Sequence, residues 1–514
     1  MKRFAVFLTA CMVASLGLAT VPGSVTSAQT PTQGGVVLGP VEYVTYLPFD
    51  NATSTGVSIH KNYMYLTSWK AISIYDISDP AAPVQTDSLP VGFMFENEDV
   101  EITPDANYLF FSETIPDEQL HVYDIEDKSN IQLVTTVENA GDHTFSCLLK
   151  CKWGYGSDGT IIDLADPTQP KIAAAQGSAD DWHKKLGIAG GAHDVTEVKP
   201  GYAIISTLSG PLIYADVRDP MNPKLLALGE KPSEAYLFHS GEWPNGGTDR
   251  WLLMQGEQNA QPRCDPEANG PFLVYDTQGW ASKKTFKLSD QYAVQNGTFT
   301  DGNPPANGLG CSAHWFEEHP TFDNGGVVAM GYYEHGTRFF NVTSKGKIEE
   351  AGVFLPYAGS TSAAYWASDK ANTDIVYAVD YTRGIDVLRY TGKTIDGGGG
   401  GGNGGNGGGA KRPYVKMAAK PYRPVRGSNF NFVVRLAACE RSNLNPAGTD
   451  VVLKRKKGGK YVNVARKSFD RSCRVLFPRK ADFKSAKFRA FWPKQRDGYT
   501  AGRSQEITVN TRNG

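Results

Sequence analysis

Past its first two dozen residues the chain has no apolar run approaching the ~20 residues needed to cross a bilayer, so no later segment reads as a membrane-spanning helix. Several common catalytic signatures are also missing. There is no Gly-x-Ser-x-Gly elbow to present a nucleophilic serine. The glycine run 397–409 has neither the lysine nor the following helix of a phosphate-binding loop. His314-Trp315-Phe316-Glu317-Glu318-His319 departs from the His-Glu-x-x-His spacing that sets two zinc ligands on one helix face. Cysteine is scarce, seven in 514 residues.

The first residues read as a secretory signal over 1–28. Lys2 and Arg3 precede an apolar run from Phe4 to about Val21, and small residues end at Thr26-Ser27-Ala28. An uncleaved membrane anchor is the alternative. Removing the signal removes Cys11 and leaves six cysteines for an oxidising compartment. Six cysteines allow 15 connectivities. The order along the chain suggests Cys147–Cys151, Cys264–Cys311 and Cys439–Cys473. The first pair cannot close along an extended strand and requires a tight turn at Leu148-Leu149-Lys150.

The formal net charge of −2 conceals an asymmetry. From Ala410 onward there are 26 Lys+Arg against 6 Asp+Glu, while the preceding body, Lys2 and Arg3 aside, has 24 basic and 48 acidic residues. The two parts therefore carry opposite fields and are expected to meet different partners.

A degenerate repeat runs through the body. Ile72-Ser73-Ile74-Tyr75-Asp76-Ile77-Ser78-Asp79-Pro80 is echoed at His121–Ile125, Ile161–Pro167 and Ile213–Pro220, and more weakly at Leu273–Asp276, Phe339–Val342 and Asp386–Tyr390. The Asp76 position recurs at 76, 124, 163, 216, 276, 341 and 389, the spacing of four-stranded propeller blades with insertions. Each apolar run predicts a buried strand, and Asp-Pro-x-x-Pro predicts the turn into an outer strand. The last copy lacks an outer strand of its own. Val41–Leu47, before the first copy, supplies a spare one, and their pairing would close the ring without exposed edges. The expected fold is all-β: a seven-bladed β-propeller over 41–391. An irregular array of β-sandwiches is the alternative.

These copies, most clearly residues 72–83 and 212–223, resemble the LVIVD-repeat family of secreted bacterial β-propellers. The resemblance implies the fold and little about activity, because propellers host many unrelated functions.

The long insertions 178–192, 256–270 and 291–313 all fall on one rim, which places the working surface there. Aligning the starts of the innermost strands, one position reads Thr55, Glu98, His143, His193, His239, His314, Ala364. Glu98 and the four histidines are thus candidate metal ligands. Imidazoles with carboxylates suit iron, copper or zinc. Glu113, Glu257, Glu334 and His335 enter the same rim from the other loop set, the last three as candidate pocket or supporting residues. Propellers with axial four-histidine iron, as in carotenoid oxygenases, offer an architectural analogy only. The competing reading makes the histidines relics of repeat duplication around a metal-free pocket for a protein or small-molecule ligand.

Glycines 397–409, interrupted only by Asn403 and Asn406, predict a flexible linker over 396–409. Residues 410–514 show about six short alternating runs and read as an immunoglobulin-like sandwich. They resemble small basic Ig-like modules appended to secreted actinobacterial proteins. Their charge, densest at Lys454-Arg455-Lys456-Lys457, suits an anionic cell-surface polymer. The expectation is a secreted or loosely surface-associated binding or scaffold protein, with a metal-dependent oxidase or oxygenase as the alternative.

Overall fold

The computed structural model describes residues 34–394 and 415–511 apart from short stretches, the four longest being 259–269, 295–311, 437–449 and 493–501. The expected signal, the glycine linker and the cysteines 264, 311, 439 and 473 lie outside the described residues. The chain divides into two compact units, 1–399 and 400–514.

Unit one is built almost wholly of antiparallel sheets taken in chain order. The first runs Ser54–His60, Tyr63–Ser68, Ala71–Asp76, Val84–Pro90, innermost strand first, and the pattern repeats along the chain. Aspartate sets the turn after each of five third strands. Asp76, Asp124, Asp163, Asp216 and Asp276 each accept the backbone N–H two residues on, at 2.7–3.1 Å. Asp79, Asp127, Asp166 and Asp219 repeat this three residues later. The carboxylates thus replace ladder partners that the chain gives up as it reverses.

Both faces of each sheet are apolar, so each must be covered by a neighbour. Tyr65, Ile72 and Ile74 of the first sheet pack with Leu109, Phe111 and Tyr123 of the second. Comparable clusters join every later pair in turn. A final cluster returns to the start, where Val57, Met64, Leu66 and Tyr75 pack with Tyr377, Val379, Ile385 and Val387. The sheets therefore close into a propeller.

The spare strand performs the closure. Val41–Pro48 pairs antiparallel with Gly384–Tyr390, from Val41 against Tyr390 to Pro48 against Gly384. Each outermost strand slips register by one residue midway, as between Gln85 and Asp87 or Leu133 and Thr135. The closing strand slips at the same place, between Tyr43 and Thr45, and so reproduces the bulge of the fourth strands it stands in for. Arg383 and Asp386 are both buried at this seam, 2.7 Å apart, with the guanidinium over the Tyr46 ring at 5.1 Å.

Other features exceed the sequence reading. Gly35–Leu38 adds a fifth strand beside Ile348–Pro356, and Leu228 and Gly229 pair in parallel with Thr285 and Phe286, joining two sheets. The insertion 178–192 holds a short helix, Trp182–Leu186, capped by Asp181, whose Trp182 stacks on Tyr155 at 4.9 Å. Cys147 and Cys151 form a disulfide across a tight turn in which Leu149, Lys150 and Cys151 all take left-handed φ.

Unit two contains a three-stranded sheet, Val415–Lys420, Asn429–Leu436 and Arg474–Lys480, and a second one, Asp450–Lys457, Lys460–Ser468, Ser485–Trp492, Gly502–Arg503 and Ile507–Asn510. Phe432, Leu453, Phe477, Phe488 and Trp492 lie in their shared core. The run Lys454–Lys457 is not one exposed patch. It lies on a strand, where successive side chains alternate. Lys454 and Arg455 are half-buried, covering Phe491 at 4.6 Å and Phe483 at 4.9 Å, and only Lys456 and Lys457 are exposed.

Arg383→Ala leaves Asp386 buried without its cation and should cost about 3–5 kcal/mol in urea unfolding, whereas Arg383→Met with Asp386→Leu should recover most of that loss.

Candidate functional site

The innermost strands begin around the propeller axis, and two of them are bulged at their histidine. Between Ala192 and Asp194 the pairing with the next strand skips one residue, and between Phe238 and Ser240 it does so again. The skipped residues are His193 and His239. A bulge re-aims the side chain it carries. Here it brings imidazoles from neighbouring sheets face to face, with ring centroids 4.6 Å apart for His143 and His193, 3.6 Å for His193 and His239, and 4.2 Å for His239 and His314.

Glu98 is the hub of this group. Its Oε2 stands 3.6 Å from His143 Nε2, 3.5 Å from His239 Nε2 and 3.4 Å from His314 Nε2. Trp315 Nε1 donates to the same oxygen at 3.1 Å, and the Tyr381 hydroxyl donates to Oε1 at 2.6 Å. Burial alone would raise this carboxyl, but the positive ends of His314 and His143, with hydrogen bonds from His239 and His314, hold it well below the usual carboxylate range. One ligand atom from each of Glu98, His143, His193 and His239 lies within 4.8 Å of all the others.

The histidines are not equivalent. Burial, then the neighbouring imidazoles His239 and His143, push His193 well below the ordinary value. Burial, then His314, bring His239 to about 3. Burial would lower His314 as well, but the charge of Glu98 and its hydrogen bond raise it instead. His314 Nδ1 donates to the Ser362 carbonyl at 2.7 Å, which fixes the tautomer and turns the Nε2 lone pair inward. Gly331 permits this approach, since a Cβ there would stand 2.6 Å from the same carbonyl oxygen. Neither nitrogen of His193, 4% exposed, has a hydrogen-bond partner among the described residues. Two low-pKa imidazoles, a third oriented by a backbone acceptor and an ionised carboxylate make a donor set ready for a cation.

The supporting candidates divide. Glu257 accepts a short hydrogen bond from the Tyr333 hydroxyl, and the Tyr333 ring lies 4.7 Å from His314, so Glu257 stands behind the cage. Burial, against the pull of His314, raises the Glu257 carboxyl. Glu113 faces His121 at 3.8 Å instead. His335 faces Arg338, and burial together with that guanidinium brings its imidazole down to about 3. Glu334 is half-buried in the same turn. Thr55 and Ala364, at the aligned position in the remaining sheets, offer no imidazole or carboxylate.

Sequence reasoning missed Trp315, Tyr333 and Tyr381, which are brought to the site by sheets distant in the chain. It also missed a group of acids below the cage: Asp99, Glu101, Asp194, Glu242, Glu317 and Glu318. Three of them, Glu101, Glu242 and Glu317, lie three residues beyond Glu98, His239 and His314, so the alignment that found the histidines also contained this tier. Burial, then the neighbouring acids, raise Asp99 and Glu242 well above the ordinary range.

Glu98→Ala would leave the buried Trp315 N–H and Tyr381 hydroxyl without an acceptor and should destabilise the metal-free protein by about 2–4 kcal/mol in denaturant unfolding. Glu98→Gln keeps an acceptor oxygen and should cost clearly less.

Comparison with known proteins agrees with this architecture. Among solved structures, the RRP9 WD40 repeats align with a TM-score of 0.46 at 9% identity, over 69% of this chain and 99% of that one. The Cps50 (Swd1) β-propeller domain of Myceliophteria thermophila aligns at 0.45 and 12% identity, over 68% and 99%. A functionally unknown protein from Desulfotomaculum acetoxidans aligns at 0.39 and 11% identity, over 59% and 89%. No curated protein matches the sequence significantly. The LVIVD repeat family matches residues 53–89, the stretch that spans the first sheet. Residues 53–89 are an LVIVD repeat, set within a β-propeller.

Proposed function

We propose that this chain is a secreted binding protein: a seven-bladed β-propeller that holds one transition-metal ion on its axis, followed by a basic immunoglobulin-like module that docks on anionic polymers. The convergence of Glu98, His143, His193, His239 and His314 carries the reading. Nitrogen donors with one carboxylate suit iron, copper or zinc. Ligands around one such ion at about 2.1 Å stand at most about 4.2 Å apart, so a contraction of about 0.6 Å from the 4.8 Å limit would seat it.

One observation supports the alternative, a metal-dependent oxidase- or oxygenase-like enzyme. The His143 side chain is 13% exposed, against 0% for His239 and 1% for His314. An ion approached from that side could keep an open position for a substrate.

For the second unit, the support is charge. Lys456, Lys457 and Lys460 are exposed around the Gly458-Gly459 turn, and Arg489 lies 5.0 Å over the Tyr461 ring beside them. A field of this sign binds polyanions in a salt-sensitive way.

Protein purified without a histidine tag should contain one equivalent of iron, copper or zinc, lost in His193→Ala/His239→Ala. Wild-type protein that neither carries nor takes up a metal would overturn the assignment. Retention on heparin should disappear on deletion of 410–514 and should not survive about 1 M salt, where the Debye length is ~3 Å. Retention through either treatment would contradict electrostatic docking.

A further inference from the structure

Below the cage the propeller bore is lined by carboxylates. At ~3.3 Å per strand residue, Glu101, Glu242 and Glu317 lie roughly 10 Å further along the inner strands than Glu98, His239 and His314. Asp99 and Asp194 adjoin the cage in the chain, and Glu318 follows Glu317. These acids act on one another across the bore: Asp99 with Glu101 and Asp194, and Glu242 with Glu318, Asp194 and Glu317. Tyr365 lies within the field of Asp99, Glu317, Asp194 and Glu242. No lysine or arginine is among the charges acting on these six acids.

Some of the carboxylates are anchored. Glu101 accepts from Cys147 N at 2.8 Å and Glu317 from Trp366 N at 2.6 Å, so each bridges to an adjacent sheet. Asp99 and Glu242 accept no hydrogen bond from the described residues, and both are half-buried, within reach of solvent. An anchoring role therefore does not account for them. A second, independent feature stands at the head of this acidic bore: His193, next to Asp194, is buried with both ring nitrogens unpartnered. A low-dielectric passage lined by one sign of charge concentrates counter-ions and can speed their arrival by about 10–1000-fold.

We propose that the bore is the entry path of the metal ion, with Asp99, Glu101, Asp194, Glu242, Glu317 and Glu318 drawing a hydrated divalent cation toward the histidine cage. This rests on the metal-site reading above. The carboxylates act on the rate of arrival, while the imidazoles and Glu98 set the final affinity.

The test is stopped-flow uptake of Co2+ by metal-free full-length protein, followed by the visible absorption of the ligated ion. Glu242→Gln/Glu317→Gln should slow the second-order rate about tenfold or more, with the final stoichiometry and spectrum unchanged. The wild-type rate should fall steeply between about 0.05 and 0.5 M salt, and the variant rate should depend on salt much less. Glu138→Gln/Glu349→Gln, which removes the same charge from exposed positions, should retain the wild-type rate. Equal rates in wild type and the Glu242/Glu317 variant would overturn the proposal, as would equal slowing by the surface pair. Should the double variant fail to fold, Asp99→Asn and Glu242→Gln singly provide the same comparison. Failure of wild-type protein to bind cobalt at all is a separate result, which would reject the metal site itself.

Discussion

The structure depends on one constraint: a radial sheet with two apolar faces is stable only between two neighbours. The pairing of Val41–Pro48 with Gly384–Tyr390 meets it by joining the two ends of the repeat array. Without that ladder, Ile385 and Val387 would lose the packing with Val57 and Leu66 that seals the ring. The cage depends on the same closure. Tyr381, which donates to Glu98, precedes the seam strand by only a few residues, and Ser362, which orients His314, belongs to the closing sheet.

Placing five donors on an axis has a cost that the surrounding structure offsets locally. Glu98 is buried, yet ionised, because imidazoles, an indole N–H and a phenol all point at it. His193 has no comparable compensation within the protein. A buried imidazole with both nitrogens unpartnered is unfavourable in the free protein and favourable once a cation supplies the missing partner. The same reasoning applies to the acids below it, which repel one another in the free state. The interior of this propeller is therefore better suited to a cation than to no ligand at all.

Much of this was legible in the sequence. The Asp76-type repeat located the third strands and their turns, because Asp bonding its own backbone is a local effect. The missing last strand and the spare first one implied closure, and the strand-start alignment selected Glu98 and the four histidines. The bulges at His193 and His239 were not legible, since a skipped residue depends on the register of its partner strand. Nor were Trp315, Tyr333 and Tyr381, whose roles are fixed by contacts across the ring. Glu113 and His335 share the alignment logic of the rim but face His121 and Arg338, because rim position does not determine side-chain direction. The run Lys454–Lys457 misled for a related reason: strand alternation sends Arg455 over Phe483 and leaves Lys456 and Lys457 in solvent.

The most direct test of the axial centre is X-ray absorption at the metal edge of the protein as isolated. Ligation by Glu98 and the four histidines requires a first shell of nitrogen and oxygen at about 2.0–2.2 Å with the multiple scattering of several imidazoles. A shell containing sulfur, or oxygen alone without imidazole scattering, would contradict it.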